Sequence, residues 1–123
     1  MTAPHSEALR VATAYHRAWT AGDLDTAMTY VSGDIVCDAP AGRLEGAAAY
    51  RSFMAPFVAM LVGAHVIAAF GDDTTALIMY DTETTLVKSG PAAECVTVRG
   101  GRIVHSWFIF DRLPFQQARA AQG

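Results

Sequence analysis

Residues 93–111 read AECVTVR-GG-RIVHSWFIFD, and no other stretch narrows the possible folds as much. Two runs rich in Val, Ile, Thr and aromatic residues are joined by Gly100-Gly101. A two-residue hairpin turn needs positive φ at both central positions, so the pair predicts adjacent antiparallel strands. Alternation then sorts side chains by face. Counted back from the turn, Glu94 shares a face with Val96 and Val98 and points inward if they do.

The other segments supply the layers. Residues 6–21 carry a helical stripe of Ala8, Val11, Ala12, Tyr15 and Trp19, with Ser6 as N-cap and Gly22 as the stop. Asp23 caps a second short helix, LDTAMTYV. IVCDAP reads as a first strand, AGRLEG as a loop, and residues 46–62 as a third helix apolar enough to be buried on most of its surface. HVIAAF, ending at GDD, reads as a short buried strand, and TALIMYDTETTL as a long one stopping at KSGP. Helices first and an antiparallel meander afterwards predict an α+β domain over residues 1–123. Its curved sheet forms a cone, and three helices pack on the concave side.

Composition sharpens this picture. A 123-residue chain builds one core. Hydrophobic residues make up 52% and charged residues 17%, with mean hydropathy +0.23. That points to an apolar cavity or a shared interface. Net charge is −3 and the basic residues are scattered singly, which argues against nucleic acid. The run FMAPFVAMLVGAHVIAAF is broken by Pro56, Gly63 and His65, so it reads as core and not as a membrane span. The N-terminus lacks the regions of a signal peptide, and Cys37 and Cys95 read as free thiols; both imply a cytoplasmic protein.

The stretch AYHRAWTAGDLDTAMTYVSGDIVCDAPAGRLEG, followed by the GRIV hairpin, resembles the nuclear transport factor 2-like superfamily. The likeness is to its SnoaL-like polyketide cyclases and ketosteroid isomerases, and it covers nearly the whole chain. It implies a cone-shaped (cystatin-like) fold but leaves the reaction open, since this superfold hosts isomerases, cyclases, hydrolases, dehydratases and non-catalytic binders.

The resemblance also implies site residues. Tyr15, seven positions before Gly22, matches the isomerase tyrosine that donates to a developing enolate oxygen. The alternative is a core tyrosine with its hydroxyl at the surface. Glu94 falls near the place of the isomerases' protonated acid; alternatively it reaches solvent past Ala93. Asp38 stands one residue before the isomerases' general base, a place held here by Ala39. It occupies instead the polar pocket position of related epoxide hydrolases, and we expect it inside as the base; the alternative is a side chain on the other face of the strand, pointing at solvent. Phe108 stands where cyclases and hydrolases carry an acid, so the hydrolase Asp-Arg-Asp set is incomplete. Asp111 enters the pocket only if the last strand bends or bulges; otherwise it caps a turn.

Trp19, Met54, Phe57, Met60, Phe108 and Phe110 are candidates for an apolar lining. On the long strand either Asp81 with Glu83, or Tyr80 with Thr82 and Thr84, faces the pocket, and alternation alone leaves both open. His105 alternates with Ile103 and Trp107, which places them on the outer face; an exposed Ile and Trp there imply a homodimer through the sheets. His5, His16, His65 and His105 show no metal-ligand spacing, and no phosphate loop is present, so neither metal nor cofactor is expected. The resulting expectation is a cofactor-independent isomerase or cyclase moving protons on a small apolar carbonyl compound. A hydrophobic-ligand binder, an epoxide hydrolase-like enzyme and a structural dimer with a filled core are the alternatives.

Overall fold

The computed structural model describes residues 6–122, which leaves His5 outside. In chain order the described residues form α1 (Glu7–Thr20), α2 (Leu24–Met28), β1 (Val31–Ala39), β2 (Gly42–Glu45) and α3 (Ala47–Met60). They continue through β3 (Leu61–Gly71), β4 (Thr75–Thr84), β5 (Gly90–Arg99), β6 (Arg102–Phe110) and α4 (Leu113–Gln122). All six strands join one curved, unclosed sheet in the order β2-β1-β6-β5-β4-β3. The molecule is α+β, with α1 and α3 packed on one face of that sheet.

The α1 stripe behaves as its spacing requires: Ala8, Val11, Ala12, Tyr15 and Trp19 are all buried. Burying a large apolar side chain contributes about 1.5–3 kcal/mol, so this face docks the helix. Its N-terminus is satisfied differently from expectation. Ser6 holds the N-cap position without a side-chain cap bond. The Glu7 N–H donates instead to Asp73 Oδ1 (3.1 Å), and the Ala8 N–H to the Asp72 carbonyl (3.0 Å), both from the β3–β4 turn. Asp23 does cap α2, accepting from the Thr26 N–H at 3.0 Å. Gly100 and Gly101 have φ of 57° and 76°, the pair of values that a β-branched residue resists.

Several elements depart from expectation. AGRLEG contains β2, which pairs antiparallel with β1. β1 pairs parallel with β6, so the sheet is antiparallel except at that seam. α3 is buried only at Tyr50 and Met54, because a helix resting on the sheet's rim presents its other sides to solvent. β3 is an edge strand, not a buried one, and leaves Val62, Val66, Ile67 and Phe70 exposed. The fourth helix, α4, was not anticipated; Asp111 starts it by accepting from the Leu113 N–H at 2.9 Å. No helix among the described residues is long and apolar enough to cross a membrane.

A bulge in β6 changes which side chains share a face. Thr97 lies opposite His105 but Val98 lies opposite Ile103, so Val104 is an extra residue. Ile103 is consequently buried while His105 and Trp107 sit on the outer face. This corrects the grouping of Ile103 with His105 and Trp107.

Candidate functional site

Four side chains from four elements meet inside the helix-covered face. Tyr15 comes from α1, Tyr50 from α3, Glu94 from β5 and Ser106 from β6. Glu94 is 3% exposed. Its Oε2 accepts from the Tyr50 hydroxyl at 3.0 Å and from Ser106 Oγ at 2.6 Å. The Tyr15 and Tyr50 hydroxyls are hydrogen-bonded to each other. Helical spacing explains the tyrosine from α3, since Tyr50, Met54 and Phe57 stand at i, i+4 and i+7 on one side. Strand alternation explains Ser106, which shares the inner face with Phe108.

Burial dominates the electrostatics. Desolvation pushes the Glu94 carboxyl from its ordinary value near 4.5 up to about 7, against the opposing effect of its hydroxyl donors. Tyr15 and Tyr50 are raised well above ordinary phenols by burial first and by Glu94 second, so they remain protonated donors. Cys37, buried nearby, is pushed up to about 12 mainly by burial and has no thiolate character at neutral pH.

Beside this cluster lies an apolar cavity of about 270 Å³. Trp19, Phe53, Met54, Phe57, Phe108 and Phe110 border it, as do Met60, Tyr80, Thr82 and Ala92. Glu94 lies opposite Phe108 in the β5–β6 register, and the Phe108 ring stacks on Tyr50 with centroids 6.3 Å apart. Phe108 and Tyr80 border the cavity, whereas Glu94, Tyr15 and Tyr50 do not; the Tyr80 phenol is raised first by burial and then by the Glu94 charge. The indole N–H of Trp19 and Nδ1 of His16 are buried without a partner among the described residues. Burial also holds His16 down to about 4, which makes it a neutral ring packed against Trp19 and Tyr80.

Three acids named from the sequence are not in the cavity. Asp38 lies on the outer face, because Ile35 and Cys37 take the inward positions of β1. Its Oδ1 accepts from Arg43 Nε at 2.9 Å, and His105 Nε2 lies 2.8 Å from Oδ2. Arg43 first, and then His105, hold this carboxyl below its ordinary value. Asp81 also faces outward and accepts from Ser89 Oγ at 2.9 Å, leaving Tyr80 and Thr82 as the pocket-facing set of β4. Asp111 is exposed at the start of α4. Tyr15 and Glu94 are joined through Tyr50, while Asp38 stands across the sheet from both.

Tyr50, Ser106 and α4 were missed by sequence reasoning, which leaves Tyr80 open as part of one of two possible faces of its strand. The signals were present: Tyr50 on the helical side of Met54 and Phe57, Ser106 in phase with Phe108 and Phe110, and Asp111 ahead of LPFQQARAAQ as a helix start.

The family profile described as SnoaL-like domain matches residues 12–106. A solved structure of a protein from Kribbella flavida DSM 17836 shares 61% identity with a TM-score of 0.93, covering 95% of this chain and 97% of that one. A polyketide cyclase candidate from Xanthomonas campestris pv. campestris shares 18% identity at TM-score 0.73, over 92% of this chain and 97% of that one. An LEH-like epoxide hydrolase from M. tuberculosis shares 16% at TM-score 0.74, over 97% and 93%. The last two show likeness of fold alone. Comparison with curated proteins finds no match. On the profile, which spans well over half of the sequence, the chain belongs to the SnoaL-like domain family.

Proposed function

We propose that this SnoaL-like protein is a cofactor-independent isomerase or cyclase that moves a proton on a small, largely apolar carbonyl compound held in the helix-side cavity. The observation that carries this is the buried Glu94 carboxyl, tuned to about 7 and hydrogen-bonded by Tyr50 and Ser106 next to an apolar space. Near neutral pH such a group is present in both forms, as a proton-transfer catalyst requires. With Phe108 rotated aside, ionised Glu94 takes a proton from the carbon next to the carbonyl. The C–H electron pair moves into an enolate, whose oxygen accepts from a tyrosine hydroxyl. Glu94 then returns the proton to another carbon, or the enolate carbon attacks a second carbonyl of the same molecule and Glu94 gives its proton to the alkoxide formed as that C=O π bond breaks. Asp38 is replaced as the base, because a carboxylate on the outer face cannot reach this space.

A second reading, a carrier of small apolar ligands, draws support from one observation: Tyr15, Tyr50 and Glu94 do not border the cavity, whereas Phe108 does. β-Decalone in D₂O distinguishes the two. Loss of its α-proton NMR signals should be faster with the native protein than with Glu94→Gln. Equal rates, with binding still seen as line broadening, would leave the carrier.

The outer sheet face carries Leu77, Met79, Trp107 and Ile109, with Trp107 56% and Ile109 64% exposed. We read this apolar patch as the contact face of a homodimer. The thiols of Cys37 and Cys95 are unpaired, which suits a reducing, cytoplasmic setting.

A further inference from the structure

The cavity is apolar along its walls but not at one end. α4 lies across that end, anchored by buried Phe115, whose ring meets Phe57 and Phe110 at centroid distances of 6.2 and 6.4 Å. Arg112, just before the helix, with Gln116 and Arg119 within it, borders the opening. Their spacing of four and then three residues puts them on one side of the helix. All three are solvent-exposed or partly so, which makes them a rim. Arg10, Arg43 and Arg51 each meet a carboxylate. Arg17, Arg99, Arg102, Arg112 and Arg119 have no ion pair among the described residues; of these Arg112 and Arg119 border the cavity, and no acidic side chain among the described residues does.

Strand β5 measures the depth. Glu94, Ala92 and Gly90 share its inner face, and Phe115 of α4 packs against Gly90. Four residues of extended chain separate the Glu94 level from the rim, about 13 Å at the usual rise. A guanidinium presents a planar fork that matches a carboxylate, and charge-assisted bonds of this kind are roughly twice as strong as neutral ones.

We propose that the ligand of this cavity is an amphiphilic carboxylate, with its apolar body between the aromatic walls and its anionic head held by Arg112 and Arg119. The assignment rests on the cavity being the ligand site. It also gives the ligand a direction, with the head at α4 and the far end toward Phe108 and Glu94.

Decanoate and decanol, matched in length and differing in charge, test it by isothermal titration at pH 8. Decanoate should bind about tenfold more tightly than decanol, and the preference should shrink with added salt. The double variant Arg112→Gln/Arg119→Gln should bind decanoate no better than decanol while its decanol affinity stays unchanged. Equal binding of the two probes by the native protein overturns the carboxylate assignment and leaves the cavity as a neutral site. Undiminished decanoate binding by the variant overturns the role of the arginines. Failure of both probes to bind overturns the cavity as ligand site as well.

Discussion

The two faces of the sheet each hold a carboxyl with two polar partners, yet the environments drive them in opposite directions. On the inner face Glu94 has only neutral hydroxyls around it and is shut away from solvent, so its neutral form gains. On the outer face Asp38 has the Arg43 guanidinium and the His105 ring, with solvent beside them, so its charged form gains. The number of hydrogen bonds does not decide the charge state. The charge of the donors and access to solvent do. A group that titrates near neutrality is thereby placed beside the cavity, and a permanently ionised one on the face that we assign to assembly.

The largest expected effect comes from Glu94. Its folded-state value lies above the unfolded one, so its contribution is fully present below about pH 4.5 and is lost as pH rises through about 7. Native stability from urea unfolding should fall by about 3 kcal/mol across that window, since a tenfold change in proton affinity corresponds to about 1.4 kcal/mol. Glu94→Gln should remove the fall and be the more stable protein at pH 8. A native curve that is flat from pH 4.5 to 8 would erase the contrast between the faces.

A smaller effect is expected on the outer face from Trp107→Glu, which sets a charge in the centre of the apolar patch. Size-exclusion chromatography should show a homodimer for the native chain and a monomer for the variant, with far-UV circular dichroism unchanged. A native monomer would deny the outer face its assembly role. The smallest effect belongs to Asp38→Asn. Because that carboxyl is depressed, its favourable pairing is present above the ordinary value near 3.8 and disappears as pH falls through the lower folded value. At neutral pH an exposed pair of this kind contributes little, so the unfolding midpoint and α-proton exchange should both match the native protein. Lost exchange in Asp38→Asn would restore it as the base.

The inward course of Glu94 was legible because the Gly100-Gly101 turn supplies an origin for counting, and Val96 and Val98 mark the phase. Asp38 was misplaced for a physical reason. Ile35, Val36 and Cys37 are all apolar, so alternation in β1 carries no contrast, and the family analogy decided the face instead. The β4 pattern had the opposite problem: Tyr80 and Thr82 are as polar in composition as a solvent face, and only their burial separates them from Asp81 and Glu83. α4 was hidden because its docking depends on Phe115 finding Phe57 and Phe110, a tertiary event that the weak amphipathicity of LPFQQARAAQ does not announce. The parallel seam between β1 and β6 is likewise a matter of long-range pairing with no local signature.

Val104, the unpaired residue of the final strand, acts as a half-turn inserted into an otherwise strict two-step rhythm. It lets one strand answer two demands: Ile103 fills the base of the core, and three residues later Ser106 begins the series that continues through Phe108 and Phe110. The same residues threaded as a regular strand, with Val104 taking an ordinary paired place, would have to choose. Keeping Ile103 inside would turn Ser106 and both phenylalanines out toward water, and would carry His105, Trp107 and Ile109 into the space beneath the helices. One valine, remote from any chemistry, decides which way the whole wall looks.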